Sequence, residues 1–345
     1  MKTYFIGADV HCTNTELAVE NNGNIVQRFS VPTTIKAISE VLNNISGKKL
    51  LTFEEGPMAG WLYRNLKDKV HEIIVCDPRR NKLIAFDGDK DDRIDSSKLA
   101  ALLRGKFLRN VYHSDDEEKV ELKRWVGLYH DRVVEATRYI NRIRAQARLY
   151  GIKIPSKVIR NLEPRQIWLS SLENKELSGR LSVFWMGLDV ATQQKDEAKR
   201  RMQILARKYD ILKYWSELPG VGTVRSITLF AYLDIPWRFK SKSKLWKYCG
   251  VGLIRETSGK DNKGRDKPAR LQLTWYANKR LKNVVIGAAT SAIMSSGDNI
   301  FRKDYESFIK NGMTKSNARH AVARKMLTIM WGMWKSNSRF DSKLC

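Results

Sequence analysis

The first 80 residues carry a pattern of short apolar runs that restricts the chain to a small set of folds. Three β-type runs come first, at 4–10, 16–20 and 24–31, and an Asn-Asn-Gly-Asn turn separates the last two as in a hairpin. Helical and extended patterns then alternate, with helices over 34–45 and 58–69 and strands over 49–54 and 72–76. A meander followed by this alternation predicts a mixed, largely parallel sheet with helices on both faces.

Four acids fall where such a sheet would bring them to one edge. Asp9 closes the first apolar run and Glu54 closes the fourth, so each follows a buried strand. Asp92 and Asp95 lie three residues apart at the start of a helical pattern and would share one helix face. Converging carboxylates suit hard divalent cations such as Mg²⁺ or Mn²⁺. The ribonuclease-H-like fold has this order of elements and acids, so we expect an α/β unit of that kind.

The charge of the chain points to a polyanionic partner. Its 345 residues hold 63 Lys plus Arg against 37 Asp plus Glu, a formal net charge of +26. Nucleic acid is the leading candidate. A membrane surface is the alternative, but the sequence has neither a run of about 18 apolar residues nor a secretory leader, so we expect a cytoplasmic protein. The four cysteines have no paired spacing, which argues against zinc or disulfides.

Two long amphipathic patterns follow, over 115–150 and 181–209. A less regular, proline-bearing stretch over 151–179 separates them. Two such helices fold back as an antiparallel hairpin or pair between subunits. The sequence leaves open whether this arm is a packed spacer or a means of oligomerisation.

The third part of the chain begins with a helix-hairpin-helix pattern. Helical runs before and after it flank Gly220-Val221-Gly222. In such a turn, Gly220 and Gly222 allow close backbone approach, and the amides at the start of the second helix can bind a phosphate. The alternative is an ordinary corner between two helices.

A glycine-rich basic loop over 255–265 comes next and precedes two helical patterns, over 271–291 and 318–335. Lys260, Lys263 and Arg265 in that loop are candidates for contact with phosphate. The alternative is that they only solvate the loop.

An ordered set of motifs along nearly the whole chain resembles the DEDD-type insertion-sequence transposases of the IS110 group, which are bridge-RNA-guided recombinases. The N-terminal motifs are Gly7-Ala8-Asp9-Val10, Phe53-Glu54-Glu55-Gly56-Pro57 and Lys90-x-Asp92-Arg93-x-Asp95. The C-terminal motifs are Leu218-Pro219-Gly220-Val221-Gly222, Tyr248-Cys249-Gly250, Thr257-Ser258-Gly259, Asn278-Lys279-Arg280-Leu281-Lys282 and Ala321-x-Ala323-Arg324-Lys325.

The resemblance implies three parts: a RuvC-like nuclease domain over 1–112, a coiled-coil-like arm over 113–210, and a mostly helical transposase domain over 211–345. It implies that Asp9, Glu54, Asp92 and Asp95 bind the metal and that Ser258 is a nucleophile. The implied partners are donor and target DNA, a noncoding guide RNA and further copies of the chain, as a dimer or tetramer. Such a prokaryotic protein would be cytoplasmic and associated with the nucleoid when bound.

The sequence departs from the family at two acids. Asp91 stands where the family usually has Thr, and Glu55 stands where it has a small residue, so register assigns Glu54 and Asp92 as the ligands. The nearest alternative function is a RuvC-like junction endonuclease in which metal-activated water replaces Ser258. A sugar-kinase or actin-like ATPase and a nonenzymatic RNA-binding scaffold are further alternatives from other classes.

Overall fold

A computed structural model describes residues 2–80, 92–256, 270–274 and 276–341. The chain divides into two compact units, Met1–Asp116 and Glu117–Cys345. The first is a mixed α/β unit and the second is mostly helical, as the sequence predicts at this level. The division of the chain into three domains stays a prediction.

A five-stranded sheet forms the centre of the described part of the first unit, in the order β3-β2-β1-β4-β5. Its strands are β1 (Thr3–Val10), β2 (Asn14–Asn21), β3 (Asn24–Pro32), β4 (Lys48–Glu54) and β5 (Glu72–Cys76). The first three form an antiparallel meander, whereas β1 with β4 and β4 with β5 are parallel pairs. Gly23 has φ +86°, which the tight turn between β2 and β3 requires.

Helices cover both faces of this sheet, as predicted. The helices α1 (Ile35–Asn43) and α2 (Ala59–Leu66) pack against one face, where Ile6, Leu51 and Phe53 are buried. The third helix, α3 (Asp92–Arg104), packs against β1, β2 and β4. Because side chains alternate along a strand, the Gly7 contact with α3 lies on the face opposite Ile6.

The second unit begins with two 32-residue helices, α4 (Glu117–Arg148) and α7 (Lys175–Ala206). They are antiparallel, since Glu118 pairs with Lys208, the Arg132 guanidinium donates to Gln194 at 3.0 Å, and Tyr139 packs on Gly187. The hairpin alternative is therefore realised within one chain. The stretch between them contains α5 (Ser156–Arg160) and α6 (Leu162–Ser170).

A helical core completes the second unit. It contains α8 (Ile211–Ser216), α9 (Gly222–Leu233), α10 (Lys242–Tyr248), α11 (Lys279–Met294), α12 (Ile300–Lys310) and α13 (Lys315–Ser336). The buried side chains of these helices pack with Leu122 and Val126 of α4 and with Met202 of α7. This core therefore packs the start of α4 and the end of α7 against the C-terminal helices.

One prediction of secondary structure was wrong. Residues 271–291 do not form a continuous helix, because β7 (Arg270–Leu273) pairs with β6 (Leu253–Glu256) in an antiparallel ladder. The helix begins only at Lys279, where the Asn278 side chain caps it by accepting from the amides of Arg280 and Leu281. Cross-strand pairing to a segment outside the predicted helix overrides the local helical period.

Candidate carboxylate centre and nucleic-acid interface

Two of the predicted acids lie side by side at the carboxyl ends of parallel strands. The register of β1 against β4 pairs Ala8 with Phe53, so the next residues in step are Asp9 and Glu54. Ala8 and Phe53 belong to the buried core on the α1 and α2 face, so both acids project to the other face. Asp9 is partly exposed and Glu54 is exposed, as expected at the edge of a sheet.

The helix α3 crosses β1 at Gly7 with its backbone in contact with the strand. A Cβ atom at Gly7 would lie 2.0 Å from the Ser96 carbonyl oxygen and 2.5 Å from the Ala100 amide nitrogen. Any side chain larger than hydrogen would displace the helix. Glycine at this position therefore sets how close the helix lies to the acid-bearing strands.

Two contacts fix the direction of α3 over the sheet. Near its end, Arg104 pairs with the buried carboxylate of Glu20, which is in register with Phe5. Near its start, the Arg28 guanidinium donates to the Arg93 carbonyl at 2.8 Å and to Ser97 Oγ at 2.7 Å. The helix therefore runs opposite to β1, and its first turn lies toward the strand end that carries Asp9.

This direction brings the first turn of α3, with Asp92 and Asp95, to the edge that holds Asp9 and Glu54. Asp95 is partly exposed, and the Asp92 side chain is outside the described residues. Among the described side chains, no three Asp, Glu, His or Cys are grouped closely enough to share a metal ion. The predicted ligands at this edge are carboxylates, whose oxygens fit Mg²⁺ or Mn²⁺ rather than a softer metal.

A histidine holds the second acid of the Glu54-Glu55 pair. His113 Nε2 lies 2.7 Å from the Glu55 carboxylate, and the imidazole is 13% exposed. The Tyr63 ring lies 5.6 Å from the His113 ring, centroid to centroid. Burial, followed by the charge of Asp115, raises the pKa of Tyr63 above its usual value. Sequence reasoning missed the contact between Glu55 and His113 because 58 residues separate them.

A second histidine contacts the predicted metal site directly. His11 Nε2 lies 3.1 Å from the Asp9 carboxylate. Asp9 is the last residue but one of β1, and His11 directly follows the strand. The spacing of Asp9 and His11 was a signal in the sequence that our reading did not use.

The predicted serine loop lies outside the described residues. Ser258, Lys260, Lys263 and Arg265 all fall in the stretch 257–269, which follows β6 and precedes β7. Their assigned roles stay predictions.

The helix-hairpin-helix pattern has the expected turn, and its two glycines have different surroundings. Gly220 and Gly222 have φ values of +80° and +61°. A Cβ atom at Gly220 would lie 2.2 Å from the Ala288 carbonyl oxygen of α11, whereas one at Gly222 would meet nothing within 4 Å. Gly220 is thus a packing position, and Gly222 is the open one. A phosphate contact at this turn stays a prediction.

Among the residues whose positions are described, no helix has the length and apolar character of a membrane span.

Comparisons with known proteins identify the family of the chain. A model of the DEDD type of IS110 transposases, described as "Transposase", matches residues 6–152, and one described as "Transposase IS116/IS110/IS902 family" matches residues 213–306. A chain of Sinorhizobium fredii that carries the name transposase y4qE is 23% identical over 293 residues, or 83% of this chain and 70% of that one. The two matched families lie in order along both units of the chain. The chain therefore belongs to the IS110 family of insertion-sequence transposases, which are enzymes that cut and rejoin DNA.

Proposed function

We propose that this transposase cuts and rejoins DNA through a phosphoserine intermediate at Ser258, next to a divalent-metal centre held by Asp9, Glu54, Asp92 and Asp95. The observation that carries the proposal is the juxtaposition of Asp9 and Glu54 at the ends of parallel strands, with the first turn of α3 directed to the same edge. Asp9 and Glu54, which are far apart in sequence, thus lie on neighbouring rigid strands, an arrangement that supports a catalytic centre at this edge.

We further propose that the first unit has the ribonuclease-H-like, RuvC-type fold. Support comes from the strand order β3-β2-β1-β4-β5, with three antiparallel strands followed by two parallel ones. Support also comes from the position of the acids at the ends of its first and fourth strands and on a later helix.

The carboxylates of Asp9, Glu54, Asp92 and Asp95 would hold Mg²⁺ or Mn²⁺ through their oxygens. When bound, the metal would neutralise the charge that develops on the phosphoryl group and on the leaving oxygen. Gly7 allows α3 to lie close to the strands, and the Glu55 carboxylate is bonded to His113. The register of β1 and β4 makes Glu54 the acid in step with Asp9.

In the proposed reaction, Ser258 Oγ attacks a DNA phosphorus. The Oγ–P bond forms as the P–O3′ bond breaks, the departing 3′ oxygen takes up a proton, and the serine hydroxyl gives its own proton to a base. The product is a 5′-phosphoseryl link that conserves the energy of the phosphodiester. A 3′ hydroxyl of another strand then attacks this link and releases the serine, so that the strands are joined without ATP.

We propose that a structured noncoding RNA of the same element chooses the DNA sites. The net charge of +26 supports a nucleic-acid partner, and delegation to a guide RNA accounts for a strongly basic protein without a recognised base-reading motif. We also propose a homo-oligomer, a dimer or tetramer, in which the carboxylates and Ser258 of different copies combine. The protein would act in the cytoplasm, on the nucleoid.

The experiment compares Ser258→Ala with Ser243→Ala, an exposed serine of α10 in the same unit. Each variant is incubated with its RNA, Mg²⁺ and plasmid DNA that carries the element ends. We expect the wild type and Ser243→Ala to form an SDS-stable protein–DNA adduct whose phosphoserine maps to residue 258. We expect Ser258→Ala to form none and to leave the DNA intact.

The alternative function gives a different product. If Ser258→Ala still cuts the DNA and leaves free 5′ phosphates, water is the nucleophile and the chain is a RuvC-like junction endonuclease. Asp9→Asn must abolish cutting in both cases, because both use the carboxylate centre. Omission of the RNA separately tests guidance, since we expect the adduct to lose its site preference without it.

A further inference from the structure

Two cavities of the second unit meet at the first turns of α11. The first has a volume of about 560 Å³ and is lined by Thr274, Lys279, Lys282 and Asn283 among others. The second also measures about 560 Å³ and lies between α4, α9 and α11. Lys279 and Asn283 line both, so the two cavities adjoin at the first turns of α11, and we call them together the α11 groove.

The α11 groove is cationic. Lys279, Lys282, Arg280 and Arg225 line it, and its described lining contains no Asp or Glu. Arg280 is already engaged in an ion pair, because its guanidinium lies 2.6 Å from the Asp131 carboxylate and also donates to the Tyr232 hydroxyl. Within the described residues, no hydrogen bond or ion pair occupies the ammonium groups of Lys279 and Lys282. These two ammonium groups therefore face the groove without a described partner, and Arg225 adds a charge whose described hydrogen bonds go to the Gly220 carbonyl and Ser291 Oγ.

Packing directs one of these ammonium groups. Gly250 has φ +74°, and a Cβ atom there would lie 3.0 Å from Lys282 Cβ and 3.2 Å from Lys282 Cδ. The aliphatic stem of Lys282 thus rests on the backbone of Gly250, which limits where its charged end can go. In the first turn of α11, the Asn278 side chain already accepts from the amides of Arg280 and Leu281. The lysines, not the helix end, carry the attraction for an anion.

The far wall of the groove is uncharged. His130 Nε2 lies 3.0 Å from Thr228 Oγ1, which itself donates to the Val224 carbonyl, so this nitrogen donates to the hydroxyl. Burial, and then the charge of Arg280, lowers the pKa of His130 to about 4, so the imidazole is neutral at physiological pH. Val133 and Val134 continue this wall. The groove therefore has a cationic side and an apolar side.

We propose that the α11 groove binds a single unpaired nucleic-acid strand, with phosphates at Lys279 and Lys282 and sugar or base faces against Val133 and Val134. A phosphodiester strand carries regularly spaced anions beside apolar faces, which matches the two sides of the groove. Each cavity has the volume of a small-ligand site, about 300–1,000 Å³, which suits a few nucleotides of one strand and is too small to enclose a duplex. The inference takes only the choice of nucleic acid as the ligand from the proposed function.

The test compares the double variant Lys279→Gln/Lys282→Gln with Lys310→Gln/Lys315→Gln. The control lysines are exposed on α12 and α13 of the same unit and have no described partner. Their substitution removes the same net charge as the groove variant. Affinity is measured by fluorescence anisotropy over a series of salt concentrations, with unpaired DNA, unpaired RNA and duplex DNA as probes. All samples contain EDTA, so no cleavage is needed.

We expect the groove variant to lose about tenfold or more in affinity for an unpaired probe, and the slope of log K against log salt to fall by about 1.4 for two lost phosphate contacts. The unpaired probe with the larger loss, DNA or RNA, identifies the source of the strand. Lys279→Arg/Lys282→Arg must retain binding, and thermal unfolding must show that both double variants are folded.

Equal losses in the groove and control variants would overturn the proposal, since bulk charge alone would explain them. A loss confined to the duplex probe would also overturn it. The outcome is independent of Ser258 chemistry: strand binding can persist if the phosphoserine mechanism fails, and the mechanism can stand if the groove is empty.

Discussion

The two units use a glycine for the same purpose at different kinds of junction. In the first unit Gly7, in a strand, admits the backbone of α3, and a Cβ atom there would lie 2.0 Å from the Ser96 carbonyl oxygen. In the second unit Gly220, in a turn with φ +80°, admits α11, and a Cβ atom would lie 2.2 Å from the Ala288 carbonyl oxygen. Each contact positions a helix that bears candidate functional residues: the acids on α3 and the lysines on α11.

The junctions differ in what else holds them. The contact at Gly7 depends on space alone, since a strand accepts any residue, whereas Gly220 also needs a left-handed backbone. Around Gly7, Arg28 and Arg104 anchor both ends of α3. Around Gly220, the Arg225 guanidinium donates to the Gly220 carbonyl and to Ser291 Oγ. The position of the acids thus depends on sheet register, whereas the position of the lysines depends on the packing of a single turn against α11.

The largest effect is expected for Gly7→Val. Its side chain cannot fit between β1 and α3, so we expect a loss of more than about 4 kcal/mol in the unfolding free energy of the first unit. Hydrogen exchange measured segment by segment would show lost protection in α3 and β1. Gly56→Ala is the matched control, because a Cβ atom there meets nothing within 4 Å. Retained protection of α3 in Gly7→Val would contradict the close contact.

A slightly smaller effect is expected for Gly220→Ala, about 3 kcal/mol from the clash and the left-handed backbone together. Gly222→Ala isolates the backbone cost, about 1 kcal/mol, since its φ is also positive but its surroundings are open. Denaturant unfolding followed by tryptophan fluorescence measures both. Equal losses in the two variants would show that contact with α11 contributes nothing.

The third expected effect is a pH dependence of stability that is confined to the second unit. His130 has a folded-state pKa of about 4 against an ordinary value of 6.5, so the unfolded chain binds the proton more readily. Its contribution to stability is complete above pH 6.5 and is lost as pH falls toward 4, by about 1–2 kcal/mol in all, since solvent at this part-exposed imidazole screens some of the shift. We expect His130→Gln to flatten this dependence in the second unit only, as measured by thermal unfolding across this range. An unchanged pH dependence would refute the assignment to His130.

The smallest effect is expected for Glu55→Gln. Loss of the charged partner of His113 should cost about 1 kcal/mol, because the Glu55 side chain is partly exposed. Thermal unfolding measures the cost, and His113→Gln should give a similar one. A double variant that loses the full sum of the two would argue against a direct interaction between them.

Sequence alone predicted the elements that depend on local patterning. The strand alternation around Asp9 and Glu54 and the turn at Gly23 were sufficient to predict the meander, the parallel neighbours and their common edge. The two long helices also followed from periodicity, and structure resolved their pairing as an antiparallel hairpin.

Features that depend on contacts distant in sequence were beyond prediction. The pairing of β6 with β7 turned part of a predicted helix into a strand. The bond between Glu55 and His113 has no local signature. The Asn278-Lys279-Arg280-Leu281-Lys282 motif was visible in the sequence, but only the structure shows that Asp131 pairs with Arg280 and that Lys282 rests on Gly250.

Whether the acids of the first unit form one centre is decided by Mn²⁺ binding, followed by electron paramagnetic resonance of the free ion. We expect Asp9→Asn, Glu54→Gln, Asp92→Asn and Asp95→Asn each to weaken Mn²⁺ binding more than about tenfold, and Glu55→Gln to leave it unchanged. Undiminished binding in Asp9→Asn, or a loss in Glu55→Gln that equals the loss in Glu54→Gln, would contradict the assigned carboxylate centre.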